Sequence, residues 1–194
     1  MFFFQDVMSV NVRLLSLHEN KHLLNSVVDL LNDEWPQSKT IRLRRLERSS
    51  DDLPISFVLI NDENQLIGYC YVDRLVDEPT SVILESVCIQ RNLRGHGHGK
   101  ILMKLLETKL QGFDWIYLTT IDKRQFYEKC GYEQTIPRVR LNVSSKLFNG
   151  NNELFKNLLS NQPTTTDSHA ILQKGSTIER VPTVWMRKSI KSYV

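Results

Sequence analysis

The residues best suited to chemistry form a glycine-rich turn that runs from Arg94 to Lys100. It reads Arg-Gly-His-Gly-His-Gly-Lys and lies between a strand-like segment and an amphipathic helix. Alternate glycines let the backbone approach a ligand closely, and the start of the next helix offers free N–H groups and a positive dipole. The turn therefore predicts an anion site, which a phosphate suits best. The alternative is a glycine turn without a ligand.

The positions around the glycines exclude two common phosphate loops. A Walker A loop needs glycine at position 94 and Ser or Thr at position 101, which are Arg and Ile here. A Rossmann fingerprint needs glycine at position 100, which is Lys. The pattern that remains is Arg-x-x-Gly-x-Gly, from Arg94 to Gly99.

A second motif, Phe126-Tyr127-Glu128-Lys129-Cys130-Gly131-Tyr132, follows one helix and one strand later. Together the two motifs resemble motifs A and B of the GNAT acetyltransferases. The resemblance implies that acetyl-CoA is the cosubstrate, that the turn holds its pyrophosphate, and that Tyr127 is the general acid at the coenzyme sulfur. The coenzyme-binding residues implied are Val87, Cys88, Ile89, Arg94, Gly95, His96, Gly97, His98, Gly99, Lys100 and Tyr127. No metal ligand set is expected.

Side-chain directions around the turn can also be predicted. Because a glycine loop binds through its backbone, we expect His96 and His98 to point outward. Arg94 and Lys100 are available to screen phosphate charge. Glu85 is the candidate general base, and two-residue periodicity predicts that it shares a strand face with Val87. Asp33 is the alternative base, and a structural role for either carboxylate remains open.

A basic segment follows the first helix. Lys39, Arg42, Arg44, Arg45 and Arg48 carry five positive charges, which Glu47 reduces to +4. Three interpretations are a solvated helix face, contact with nucleic acid, and a site for an acidic peptide. The run is short and lacks the interleaved aromatic residues of a strand-binding surface, so nucleic acid is disfavoured. The candidate substrate-binding residues are Trp35, Lys39, Arg42, Arg45, Arg138 and Arg140.

The segment from Asn32-Asp33-Glu34-Trp35-Pro36 to Leu43 resembles the GNAT branch that acetylates the amino terminus of actin. This resemblance implies an acidic N-terminal substrate, and as partner actin alone or with profilin. Relatives of vertebrate type carry a proline-rich insert before the last strand, whereas this chain has only Pro163 there. The alternatives are a GNAT enzyme for lysine or a small-molecule amine, and a non-catalytic coenzyme-A-binding module.

Composition and hydrophobic pattern predict one α/β domain with the GNAT fold. Hydrophobic residues make up 41% of the 194 residues, charged residues 24%, and the net charge is +3. We expect a mixed, mostly antiparallel sheet flanked by helices over residues 1–194, with a polar loop insertion at about 149–179. Three scattered cysteines, the absence of a basic leader and the absence of a long apolar run favour the cytosol and exclude a membrane partner.

The elements follow from periodicity and from turn residues. An amphipathic helix begins near Glu19 and is limited by Pro36, and Ser38 caps a second. A third follows the glycine turn and ends at Gly112, and a short fourth spans Lys123–Cys130. The predicted strands are Val10–Leu17, Ile55–Ile60, Gln65–Leu75, Ser81–Gln90, Trp115–Thr120, Ile136–Val143 and Val181–Met186.

Overall fold

The computed structural model describes residues 11–75, 77–138 and 183–191. Its strands are β1 (Val12–Ser16), β2 (Ile55–Asn61), β3 (Leu66–Arg74), β4 (Ser81–Ile89), β5 (Trp115–Thr120), β6 (Glu133–Gln134) and β7 (Val184–Ser189). Its α-helices are α1 (Leu24–Glu34), α2 (Lys39–Leu46), α3 (His98–Lys109) and α4 (Arg124–Glu128). Short 3₁₀ helices cover Leu17–Glu19, Lys21–Leu23 and Arg91–Leu93.

The described strands form one sheet in the order β1-β2-β3-β4-β5-β7-β6. Neighbouring strands are antiparallel except β4 and β5, which run parallel. A parallel pair needs a crossover, and here the glycine turn and α3 supply it. The glycine turn is therefore placed at the carboxyl end of β4. The predicted mixed, mostly antiparallel α/β sheet flanked by helices is confirmed.

Helices cover both faces of the sheet. On one face Leu102 and Leu106 of α3 pack on the strands, together with Tyr127 of α4. On the other face Val27 of α1 and Leu46 of α2 pack on β2, β3 and β4. The central strands are buried on both sides, which explains why their sequences are apolar runs without strict alternation.

The turn chemistry predicted from the sequence explains how several helices begin and end. Helix α1 ends at Glu34, and Trp35 before Pro36 is extended, with φ −134° and ψ 90°. Ser38 occupies the N-cap of α2 but makes no side-chain capping hydrogen bond. Gly131 follows α4 with φ +87°, a backbone conformation that favours glycine. None of the helices in the described ranges has the length and apolarity that a membrane crossing requires.

Several predicted boundaries were wrong. The segment from Glu19 opens with two 3₁₀ turns, so the first α-helix starts at Leu24. Helix α3 ends at Lys109, before Gly112, and α4 is shorter than predicted. Residues 136–138 belong to no strand, and the last strand extends to Ser189 because its register is set by pairing with β5. The predicted insertion at about 149–179 lies outside the described residues.

Gly68 on β3 provides a test of how tightly β3 and β4 pack. A Cβ there would lie 2.5 Å from Ile89 Cδ1 and 2.8 Å from the backbone oxygen of Cys88. We expect Gly68→Ala to lower the free energy of unfolding by about 1–3 kcal/mol, measured by urea denaturation. Gly112→Ala is the control, because nothing lies within 4 Å of its added Cβ. Equal stability of both variants would contradict the packing described.

Candidate active site

The central feature of the site is a divergence between the two parallel strands. Ser81–Leu84 of β4 pair with Trp115–Leu118 of β5, and the pairing stops there. Beyond that point Glu85–Ile89 continue along β3 alone, whereas Thr119 and Thr120 pair with β7. Among the described residues, no other strand pairs with the inner edge of β4 from Val87 to Ile89. An extended ligand can bind such an edge as an additional strand would.

A β-bulge in β4 lies at the start of this opening. Tyr71 pairs with Glu85 and Tyr69 with Cys88, so two residues of β4 oppose one of β3, and Ser86 has φ +53°. The extra residue inverts the alternation of side chains. Val87 packs on the α3 face, while Glu85 bonds to Arg45 of α2 on the other face. The prediction that Glu85 and Val87 share a face was therefore wrong.

The glycines of the glycine-rich turn have two different structural roles. Gly95 and Gly97 have φ +83° and +86°, and a Cβ on either would meet nothing within 4 Å. Among the described residues, the space that a side chain would occupy is therefore open at both positions. Gly97 is also the N-cap of α3, so the first amides of that helix have no intrahelical acceptor. These features suit an anion.

Gly99 has a different function, since it lets α4 pack against the start of α3. A Cβ at Gly99 would lie 3.1 Å from the Phe126 ring. Phe126 in turn contacts the ring of Tyr127 edge-on, with centroids 5.0 Å apart. The third glycine of the turn thus links the two motifs of the sequence physically.

The polar side chains of the turn bind within the protein more than expected. His98 is buried, and its Nδ1 lies 3.1 Å from the Leu93 carbonyl, so the prediction that it points outward was wrong. His96 is exposed, as expected. Arg94 donates from Nε to the Ile89 carbonyl (2.9 Å) and from a terminal nitrogen to Glu34 (2.8 Å). Arg94 therefore joins the carboxyl ends of β4 and α1, and Lys100 is exposed.

Tyr127 lies in the core beneath the turn. Its side chain is 8% exposed, and its ring contacts Tyr132 edge-on at 5.8 Å. Burial raises the pKa of the Tyr127 hydroxyl well above its usual value, and nearby thiols and Asp122 act in the same direction. The phenol therefore keeps its proton throughout the physiological range. A protonated hydroxyl can donate a hydrogen bond to a leaving group.

On the opposite sheet face, Arg45, Glu85 and Tyr71 form a cluster. A terminal nitrogen of Arg45 donates to Glu85 Oε2, and the guanidinium lies 4.5 Å from the centroid of the Tyr71 ring. Burial disfavours the charged Arg45, but Glu85 and Tyr71 outweigh it and raise the pKa of Arg45. Burial and Asp73 raise the pKa of Tyr71 to about 12, which keeps this ring neutral beneath the cation.

The remaining candidate substrate-binding residues differ in how far they are buried. Arg42 is 8% exposed and donates to Asn32 Oδ1 (2.8 Å) and to the Trp35 carbonyl, so it holds the α1–α2 turn together. Burial and the charge of Arg45 lower the pKa of Arg42. Trp35 is exposed in that turn. Exposed Lys39 pairs with Asp29 at 3.3 Å. Arg42 is thus engaged within the protein, and its predicted contact with the substrate stays a prediction.

Like Arg45, Arg138 pairs with a carboxylate and lies over a tyrosine ring, in this case on β5. It pairs with Glu78 at 2.7 Å and lies 5.3 Å from the centroid of Tyr117 on β5. Tyr117 opposes Ile83, which is two residues from Glu85, so both arginines lie over the same sheet face. Arg140 is outside the described residues. Asp33 is exposed at the end of α1, where its carbonyl accepts from Arg91.

Sequence reasoning missed three residues that organise this region. Tyr71 supports Arg45, Asn32 orients Arg42, and Glu34 binds Arg94. The Asn32–Pro36 resemblance pointed to the segment of Asn32 and Glu34 but not to these contacts. Tyr71 carries no local signal, because its role depends on pairing with Glu85.

A cluster of metal-ligand residue types, His18, Glu19 and Asp51, also occurs among the described residues, with one donor atom of each within 4.8 Å of the others. His18 uses both ring nitrogens within the protein, with Nε2 3.0 Å from Asp51 and Nδ1 3.3 Å from Ser49 Oγ. These contacts are all within the segments that carry His18, Ser49 and Asp51.

Solved structures share the fold at low sequence identity. The ribosomal-protein-S18-alanine N-acetyltransferase from Escherichia coli matches with a TM-score of 0.59 and 12% identity, over 95% of this chain and 97% of that chain. An aminoglycoside 6'-acetyltransferase type Ii matches with a TM-score of 0.61 and 19% identity, over 95% of this chain and 99% of that chain. At such identities these similarities establish the fold.

A curated relative shows higher identity over a shorter range. N-alpha-acetyltransferase 80 of Mus musculus is 36% identical over 119 residues, which cover 57% of this chain and 38% of that protein. The matched region thus spans little more than a third of the relative's length. The family model described as "Acetyltransferase (GNAT) family" matches residues 24–132, which include the diverging strands, the glycine-rich turn and Tyr127. The chain is a member of the GNAT acetyltransferase family.

Proposed function

We propose that this protein transfers the acetyl group of acetyl-CoA to the free α-amine of an acidic protein N terminus, with processed actin as the substrate. The observation that carries the proposal is the pair of arginines, Arg45 and Arg138, over the sheet face beside the opening between β4 and β5. Family membership and the similarity to an N-alpha-acetyltransferase support the reaction type. Free thiols at Cys70, Cys88 and Cys130 support a reducing, cytosolic location.

The described residues fit acetyl-CoA at the turn and at the free edge of β4. Open space at Gly95 and Gly97 admits a pyrophosphate against the backbone, and the N terminus of α3 favours its charge. Among the described residues, no strand pairs with the edge of β4 from Val87 to Ile89 that faces away from β3, so an extended amide-containing arm can bind along it. Bound there, the coenzyme supplies an acetyl group activated as a thioester.

The protein's own residues supply the proton chemistry. Tyr127 holds a proton at its hydroxyl oxygen and donates it to the leaving sulfur. Glu85 is the candidate acceptor for the amine proton, and the bulge places it on the side of Arg45. An α-ammonium group has a pKa of about 7.7–8.0, whereas that of a lysine side chain is about 10.4. A much larger fraction of the α-amine is therefore neutral near pH 7, so an N-terminal substrate needs less help from a base.

An acidic acceptor suits this face better than a cationic one. Two carboxylates of this region, Glu85 and Glu78, are bound to Arg45 and Arg138. Arg48 adds positive charge near Tyr71, whose pKa it lowers slightly against the larger effect of burial. A polyamine or an aminoglycoside would meet the like charge of these guanidinium groups. We therefore rank a lysine or small-molecule amine substrate second.

The first prediction tests the coenzyme site. Gly97→Val adds a side chain where φ is +86° and fills the space proposed for the coenzyme pyrophosphate. We expect acetyl-CoA affinity, measured by calorimetry, to fall at least about tenfold. Gly112→Val, at an open position without a positive φ, serves as the control and should retain affinity. A folded Gly97→Val protein with unchanged affinity would refute the assignment.

The second prediction compares two buried tyrosines. Tyr127→Phe should lower kcat about 10²–10⁴-fold with little change in peptide KM, because only the proton donor is lost. Tyr132 is the matched control, since its buried hydroxyl has no hydrogen-bond partner in the described part of the chain. Tyr132→Phe should keep activity and the unfolding temperature. Activity of Tyr127→Phe within about twofold of the wild type would remove Tyr127 from the mechanism.

The third prediction concerns substrate choice. The wild type should acetylate a peptide with an acidic start and a free α-amine in preference to the same peptide with a neutral start. Exposed ion pairs contribute about 0–1 kcal/mol each, so Arg44→Glu with Arg48→Glu should reduce this preference in kcat/KM by about tenfold. The preference should also fall as salt shortens the Debye length below about 8 Å.

The control for the third prediction reverses two positive charges at positions outside the basic segment. Arg13→Glu with Lys109→Glu alters β1 and α3, away from α2, and should leave the preference intact. Equal kcat/KM for acidic and neutral peptides at low salt would show that Arg44 and Arg48 are solvated surface only. Acetylation of lysine side chains in preference to the α-amine would favour the second-ranked function.

A further inference from the structure

Two arginines tie the carboxyl end of α1 to the glycine-rich turn. Arg94, the first residue of the turn, donates from Nη2 to Glu34 Oε2 at 2.8 Å. Arg91, in the 3₁₀ helix before the turn, donates to the Asp33 carbonyl, and its Nε lies 3.8 Å from the same Glu34 oxygen. The last two residues of α1 are therefore held by the segment that leads into the proposed coenzyme site.

The charge of Glu34 requires partners from outside its own helix. A carboxylate at the carboxyl end of a helix lies at the negative end of the helix dipole, which is unfavourable. The last turn of α1 contains no basic residue, so Arg94 and Arg91 supply the compensating charge. The hydrogen bond with Glu34 raises the pKa of Arg94, although burial acts in the opposite direction. The contact between Glu34 and the turn is thus favourable for both partners.

Glu34 also adjoins the proposed acceptor site. Trp35 follows it directly, is exposed, and is a candidate substrate-binding residue. Arg42 of α2 donates to the Trp35 carbonyl and to Asn32 Oδ1, so the end of α1 and the start of α2 form one braced turn. A displacement of Glu34 would therefore move Trp35 and, through Arg42, α2.

Arg94 can bind Glu34 and a phosphate at the same time. Its Nε donates to the Ile89 carbonyl at 2.9 Å, which holds the guanidinium at the carboxyl end of β4. Within the described residues, Nη1 of Arg94 has no hydrogen-bond partner, and the side chain is 42% exposed. A guanidinium has five N–H donors in one rigid plane. A phosphate on the remaining donors would therefore order Arg94 without displacing Glu34.

We propose that Glu34 is a positioning residue that couples the two substrates: coenzyme at the glycine-rich turn fixes Arg94, and Arg94 through Glu34 fixes the Trp35 turn that receives the acceptor peptide. The inference rests on the proposed function and adds to it a positive coupling between the two binding sites. Glu34 has no part in the proton chemistry and acts through Arg94 and Trp35. Because linkage is reciprocal, the peptide must raise coenzyme affinity by the same factor.

The test measures peptide affinity by calorimetry with and without saturating coenzyme A, which has no acetyl group to transfer. The peptide has an acidic start and a free α-amine. In the wild type, coenzyme A should tighten peptide binding at least about fivefold, and in Glu34→Gln this factor should fall below about twofold. The reverse titration, coenzyme A with and without peptide, should give the same factor for each protein.

Kinetics provides a readout that a merely structural role for Glu34 would not give. At saturating acetyl-CoA, Glu34→Gln should raise the peptide KM about fivefold and change kcat by less than about twofold. The split is expected because the variant loses the positioning of the acceptor turn and keeps the proton donor. Glu34→Asp keeps the charge and should retain part of the coupling.

Further variants test whether Arg94 carries the coupling. Arg94→Lys keeps the charge but cannot bind the Ile89 carbonyl and Glu34 together, so its coupling factor should also fall below about twofold. Adding Glu34→Gln to Arg94→Lys should lower the factor no further, because both changes remove the same contact. Glu63→Gln is the control, since it removes an exposed carboxylate between β2 and β3 and should leave the factor and the peptide KM unchanged.

The outcomes distinguish this inference from the function on which it rests. If coenzyme A leaves peptide affinity unchanged or weakens it while the wild type still acetylates the peptide, the coupling is wrong and the proposed function stands. If Glu34→Gln keeps its melting temperature and the full coupling factor, Glu34 only stabilises the end of α1 and the inference is wrong. If Glu34→Gln does not fold, full coupling in Arg94→Lys would overturn the inference and its loss would support it. If the peptide is neither bound nor acetylated at its α-amine, the proposed function fails and the inference fails with it.

Discussion

The rest of the site depends on the end of hydrogen bonding between β4 and β5. These strands are paired only as far as Leu84 and Leu118, and then each continues with its other neighbour. A parallel sheet normally buries its backbone groups in continuous ladders. Here the ladder opens inside the protein, so the edge of β4 is available to a ligand while its other edge stays rigidly paired with β3.

Packing on the α3 face supports this opening. Gly99 allows Phe126 to approach the start of α3, and Tyr127 follows on the same short helix. Helix α4 has only five residues and would have little stability alone. Lys188 of β7 helps to fix it, since its ammonium donates to Glu107 of α3 and to the Cys130 carbonyl after α4, each at 2.8 Å. The position of the proton donor is thus set by tertiary contacts.

The opposite face is organised by charge. Arg42 braces the α1–α2 turn, Arg94 joins the end of α1 to the end of β4, and Arg45 lies on Tyr71 beside Glu85. All three arginines donate hydrogen bonds within the protein, and the net charge of the segment does not show these structural roles. The bulge at Ser86 decides which face Glu85 joins, and therefore whether it meets Arg45 or the apolar side chains under α3.

The sequence alone determined the element types, the family and the glycine-rich turn, because these depend on local patterns. Hydrophobic periodicity, Pro36, Gly131 and the spacing of Gly95, Gly97 and Gly99 act over a few residues, and they predicted the sheet and three of its helices nearly in place. Two-residue alternation failed at Glu85, because a bulge depends on the partner strand.

Only the tertiary structure decided which polar residues meet. His98 turned inward to the Leu93 carbonyl, Arg42 became buried, and Arg45 bonded to a residue forty positions away. Residue type and charge are written in the sequence, but burial and partner choice are set by the packing of α2 over β3 and β4. Whether a charged side chain binds a substrate or braces the fold therefore depends on contacts between distant segments, which no local pattern encodes.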